Sequence, residues 1–196
     1  MIKRFFMTTA ALFAATAPAF AHLNPAEHGS FAAGFSHPLF GLDHVLVMLA
    51  VGLWAASLGG RAMLIVPASF VGAMGLGFAA AIAGMPLPFV EPVILASIIF
   101  IGIMVALALP FSVAGMAVSV GFFAIFHGHA HGGELGHAGA ASFAIGFMLA
   151  TAALHATGIA LGLGFSRLQA SAGKAYLTRS AGLATAAAGL ALAFAG

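Results

Sequence analysis

Residues 91–109 read EPVILASIIFIGIMVALAL, a single carboxylate followed by an unbroken apolar run that stops against Pro110. A helix needs about 20 such residues to cross a hydrocarbon core of about 30 Å, and this run has that length. It lacks the polar alternation of a half-buried strand, and an isolated helix satisfies its own backbone in lipid. Comparable stretches lie at 38–58, 63–85, 111–131, 139–165 and 177–195. They are separated by Gly59-Gly60-Arg61, Met85-Pro86-Leu87-Pro88, Pro110, a His/Gly-rich stretch at 127–137 and a polar stretch at 166–176. The pattern predicts an all-α integral membrane protein, a six-transmembrane-helix bundle with short connections.

Composition agrees. Of 196 residues, 63% are hydrophobic and only 5% charged, too few to solvate the surface of a water-soluble domain. Such hydrophobicity also excludes disorder. The net charge of +2 comes from six basic and four acidic residues, so no nucleic-acid surface is expected and the lipid bilayer is the expected surrounding. The absence of cysteine removes disulfides, thiolate metal sites, iron–sulfur clusters and cysteine nucleophiles together. Nine histidines against four carboxylates make imidazole the main chemistry on offer. Glycines such as Gly72, Gly75 and Gly77, or Gly158, Gly162 and Gly164, predict close helix approach.

The start of the chain has the form of a secretory signal: Lys3-Arg4, an apolar run from Phe5 to Ala17, then Pro18-Ala19-Phe20-Ala21. Cleavage after Ala21 is expected, leaving one transmembrane domain over residues 22–196; an uncleaved first helix is the alternative. Either way the next segment starts outside. Six crossings then put the connections after spans one, three and five in the cytoplasm, with Arg61, Arg167, Lys174 and Arg179. Glu27, Asp43, Glu91 and Glu134 fall on the outer side, so the positive-inside rule is obeyed throughout. The expected location is a bacterial inner membrane with a periplasmic mature N-terminus.

Two clusters carry chemistry. The first is His37-Pro38-Leu39-Phe40-Gly41-Leu42-Asp43-His44, leading to Met48. If the first span begins at Pro38, His37, Gly41, His44 and Met48 stack along one helix face. Asp43 and His44 then lie about one turn inside the hydrocarbon boundary, where an acid and an imidazole are costly and suggest a site facing the bundle interior. The competing reading is a hydrogen-bonded pair that only braces the helix. His37, nearer water, reads as a ligand, whereas Met48 reads as packing with a thioether donor in reserve.

The second cluster is Phe126-His127-Gly128-His129-Ala130-His131-Gly132-Gly133-Glu134, followed by Gly136-His137. Ser112 to Phe126 is too short to cross, so the fourth span carries some of these histidines into the membrane. On a helix His127 and His131 share a face with Glu134 close by, a spacing that sets two imidazoles on one divalent ion. His129 projects elsewhere unless the helix unwinds at Gly128 or at Gly132-Gly133, as the broken helices of transporters do. A loose metal-collecting outer loop is the competing reading, and it suits His28 and His137. Deeper in the fifth span, Met148, Thr151 and His155 share a face; His155 is either a relay on an inward path or a histidine bonded to a helix carbonyl. Glu91, before Pro92, reads as a helix-capping carboxylate. His22, as a new N-terminus, could chelate through its amine and imidazole.

Imidazoles with carboxylates and no thiolate suit nickel, cobalt, zinc, copper or non-haem iron, not magnesium or calcium. Below about pH 6, protons would compete with the metal.

The string His37-Pro38-x-x-Gly41-x-Asp43-His44-x-x-x-Met48, together with Phe126-His127-Gly128-x-Ala130-His131-Gly132-x-Glu134, resembles the signature pair of the HupE/UreJ family of nickel permeases. The resemblance covers essentially the whole chain. It implies a bacterial inner-membrane protein that supplies nickel, sometimes cobalt, for hydrogenase or urease maturation, with metal handled by His37, Asp43, His44, His127, His131 and Glu134. The first motif is also similar to the His-x4-Asp-His signature of the nickel/cobalt transporter family, but five residues separate His37 from Asp43 here, so membership of that second family does not follow.

The expected function is therefore a non-enzymatic permease that passes a divalent transition-metal ion from periplasm to cytoplasm, without a prosthetic group. Its site would lie between the first and fourth spans, with His129, Met48, His155 and His22 as further donors. The rival is a membrane metalloenzyme or metal sensor, of histidine-box di-iron or haem type, that retains its metal. Oligomeric state is not legible.

Overall fold

The computed structural model describes residues 30–109, 111–135, 139–169 and 176–195, without the side chains of 133–135 and 169. The expected signal segment 1–21, His22, Glu27, His28, His137, Lys174 and the Glu134 side chain lie outside that description.

The described residues form seven helices: α1 (Phe31–Phe40), α2 (Leu42–Leu58), α3 (Ala62–Ile82), α4 (Val90–Leu107), α5 (Val113–Leu135), α6 (Ala140–Gln169) and α7 (Tyr176–Ala195). Five of these, α3 to α7, are each long and apolar enough to cross a membrane. The chain is a multi-pass membrane protein. Its outer surface shows the same: Leu64, Leu76 and Val118 are each more than 70% exposed, which is tolerable against lipid and costly against water.

The first apolar segment differs from the single helix expected from Pro38 onward. The helix begins earlier, at Phe31, where the Ser30 hydroxyl accepts a hydrogen bond from the Ala33 N–H at 3.0 Å. Pro38 then sits inside α1, and Gly41 adopts extended backbone (φ −80°, ψ 114°) before α2 starts. The two helices meet at 80°, so the pair is a broken span or a re-entrant turn. Two local causes coincide. Pro38 supplies no N–H to the helix ladder, and Gly41 leaves room for Asp43 and His44 to fold back beside it. A Cβ on Gly41 would stand 2.9 Å from Asp43 Oδ1 and 3.0 Å from His44 Nδ1.

Helix α3 packs along α5, α4 along α7, and α1 and α2 along α6. Glycine sets the closeness of these seams. A Cβ on Gly77 would overlap the Ile125 carbonyl, and one on Gly128 the Met74 carbonyl, so α3 and α5 touch backbone to backbone. Gly52 and Gly158 do the same for α2 and α6. Of the glycines singled out in the sequence, Gly77 and Gly158 lie in such contacts, Gly162 faces the Ala56 side chain closely, Gly75 meets Met148 at ordinary distance, and Gly72 and Gly164 face open space. The core between the seams is filled by Val47, Val51, Phe70, Met74, Ile98 and Phe147.

Candidate metal site

The bend at Gly41 turns His37, on α1, back toward His44, in the first turn of α2. Helix α5 brings His131 alongside. One ring nitrogen from each of His37, His44 and His131 lies within 4.8 Å of the others, enough for all three to reach a single ion. His37 is the most exposed of the three, whereas His44 and His131 are buried. Phe147 of α6 backs the cluster, its ring centroid 5.0 Å from His131, 6.0 Å from His44 and 6.1 Å from His37. Phe143 stands 6.0 Å from His37. The ligand set is thus three imidazoles against an apolar wall that keeps water off one side.

His44 Nε2 and His131 Nε2 are 2.8 Å apart, the spacing of a shared proton. Two nitrogens bound tetrahedrally to one ion at about 2.0–2.1 Å would stand about 3.3 Å apart, so a cation held by both would have to displace the proton and open the pair by about half an ångström. On its other side His44 Nδ1 is 2.8 Å from Asp43 Oδ2, off the line of a ring N–H. Asp43 remains partly exposed and sets a negative charge beside the imidazoles. This arrangement suits a carboxylate that orients a ligand and offsets cationic charge.

His127, one turn from His131 on α5, is fully buried and lies 5.4 Å from His44 between ring centroids. It is not one of the three converging nitrogens. Its Nε2 lies 3.0 Å from the hydroxyl of Ser97 on α4. The helix does not unwind at Gly128 or at Gly132-Gly133: α5 runs helical from Val113 to Leu135, and the broken helix is α1–α2. His129 accordingly points away from the cluster and donates from Nε2 to the Met85 carbonyl at 2.7 Å, holding the turn after α3. Glu134 lies on α5 three residues beyond His131.

Met48 is fully buried, and its carbonyl accepts a hydrogen bond from His155 Nδ1 at 2.8 Å. His155 is thus bonded to a helix carbonyl, one of the two readings open from sequence, and the bond crosses from α6 to α2. Glu91 is in the first turn of α4, but no side-chain cap bond forms at that terminus, where Phe89 is the capping residue; its carboxylate favours the helix N-terminus through charge alone. Ser97, Phe143, Phe147 and Phe70 escaped the sequence reading. Ser97 had a signal of its own, a hydroxyl inside the apolar run that first suggested the fold.

With this geometry in view, comparison with known proteins is direct. Residues 10–192 match the profile of the family described as HupE / UreJ protein. Protein HupE of Rhizobium leguminosarum bv. viciae is similar, 41% identical over 186 residues that cover 94% of this chain and 95% of that one. No solved structure matches. The matched region takes in both histidine clusters and all seven described helices apart from the last few residues of α7, and on that extent of similarity the chain belongs to the HupE / UreJ family.

Proposed function

We propose that the protein is a permease for a divalent transition-metal ion, nickel first and cobalt second, carrying it from the periplasm into the cytoplasm. The observation that supports this most is the convergence of His37, His44 and His131 nitrogens within 4.8 Å in an apolar helix bundle. Imidazole in such surroundings is costly to bury and is retained where an ion passes. Three neutral donors with a carboxylate beside them bind a borderline divalent ion while leaving it exchangeable, which net transport requires. His37, at the more exposed rim, receives the ion; His44 and His131 hold it, and Asp43 offsets its charge. Glu134, on the same helix as His131, is a further carboxylate for the ion. The family resemblance favours nickel among the metals these donors suit, and makes hydrogenase or urease maturation the consumer.

The test is accumulation of radiolabelled nickel in uptake-deficient bacterial cells carrying the wild-type protein, His44→Ala or Asp43→Asn at matched membrane levels, with cobalt, zinc and copper as competitors. Uptake by the wild type that is lost in both variants is the expected result. Absence of uptake of any of these ions, with metal retained through purification, would overturn the proposal in favour of a metal-retaining enzyme or sensor.

A further inference from the structure

Among the described residues four buried histidines have one nitrogen hydrogen-bonded and the other without a hydrogen-bond partner, and two of them, His127 and His155, lie outside the first cluster. The Ser97 hydroxyl has a single proton, which it donates to the Ile94 carbonyl at 2.6 Å. Ser97 Oγ therefore accepts from His127, whose Nε2 carries the proton and whose Nδ1 presents a lone pair. His155 is fixed in the opposite sense: Nδ1 donates to the Met48 carbonyl, so Nε2 is the bare nitrogen. Both His127 Nδ1 and His155 Nε2 are buried without a hydrogen-bond partner, in side chains with 0% exposure. Each orphaned polar atom costs on the order of 1–3 kcal/mol, a cost that leucine or phenylalanine at the same position would not incur. An imidazole oriented through one nitrogen with the other left open is the usual preparation of a metal ligand.

The two rings share a neighbour. Phe70 of α3 packs against both, with centroids 5.6 Å from His127 and 4.9 Å from His155. This layer is deeper than the first cluster. Met48, whose carbonyl orients His155, is four residues past His44 on α2, or about 6 Å along the helix axis.

We propose that His127 Nδ1 and His155 Nε2 form a second, inner binding site for the transported divalent cation, a proposal that rests on the permease reading. Neutral imidazoles with Asp43 one layer out hold the ion more weakly than the first cluster does. The ion passes from His44 to His127, which lies 5.4 Å from it, and then to His155. Ser97 and the Met48 carbonyl are positioning groups that keep the two lone pairs available.

The experiment is a titration of the purified full chain in lipid nanodiscs with cobalt(II), whose visible absorption reports its ligands, alongside cobalt flux into proteoliposomes. The wild type should bind in two phases, the second about tenfold weaker. His155→Ala should abolish the second phase and cut flux about tenfold while the first phase is unchanged, so that the first site certifies the fold. Ser97→Ala, which releases the His127 tautomer, should weaken the second phase about tenfold, and it decides the matter by the same criterion if His155→Ala also disturbs the first. A single phase in the wild type, or a second phase whose affinity is unchanged in the deciding variant, overturns the inner site and leaves the permease reading standing. Absence of any cobalt binding by the wild type overturns both.

Discussion

His131 and His129 are two residues apart on one helix and meet different fates. The first shares a proton with His44 at 2.8 Å, whereas the second donates to the Met85 carbonyl at the end of a turn. Replacing His131 by alanine removes one of three converging donors, and nickel affinity should fall at least about tenfold, or ~1.4 kcal/mol, by isothermal titration of the purified protein. His129→Ala should leave affinity within about twofold and lower stability by about 1 kcal/mol, the worth of one hydrogen bond. Equal losses of affinity in the two variants would contradict the assignment of donors. The sequence pattern placed His131 among the ligands because it lies four residues from His127, yet the rings that converge are those of His37, His44 and His131. Helical spacing tells which side chains share a face, not which neighbouring helix that face meets. For the same reason Ser97, Phe70 and Phe147, all contributed by other helices, could not be read from the motifs.

At the scale of elements, the break between α1 and α2 makes the site. A straight helix would carry His37 about two turns, or about 10 Å, away from His44 along its axis, whereas the 80° bend sets their ring centroids 5.6 Å apart, edge to face. Gly41 is the joint, and the atoms that a Cβ there would meet are side-chain ends, Asp43 Oδ1 and His44 Nδ1. Gly41→Ala should therefore displace ligands and not backbone: metal affinity falls about tenfold while stability changes by less than about 1 kcal/mol. Gly128→Ala is the contrast, because its Cβ would overlap the Met74 carbonyl and force α3 from α5, at about 3 kcal/mol. Thermal unfolding in detergent, paired with metal titration, separates the two effects. The five long helices were legible because a continuous apolar run of that length has one stable form in lipid. The joint was not, since a glycine in an apolar run looks the same whether it serves close packing, as Gly158 does, or a change of direction. Ser30, ahead of Phe31 and able to cap it, was the one available sign that α1 starts before Pro38.

Across the whole molecule, the buried imidazoles form a column that runs from the bend through His131, His44 and His127 to His155, and its direction in the membrane decides whether it serves uptake. Arg61, Arg167 and Arg179 lie toward one end of the helices, at the starts of α3 and α7 and the end of α6, while the His37 cluster lies toward the other. On the permease reading, the positive-inside rule predicts that the arginine end is cytoplasmic and that the ion enters at the histidine end. The chain contains no cysteine, so single cysteines can report this without background. Met85, 60% exposed in the turn after α3, belongs to the histidine end, and Leu168, 73% exposed near the end of α6, to the arginine end. A membrane-impermeant maleimide added to intact spheroplasts should label Met85→Cys and not Leu168→Cys, with both labelled after lysis. The reverse pattern would turn the column around, so that His37 received the ion from the cytoplasm and the protein served export.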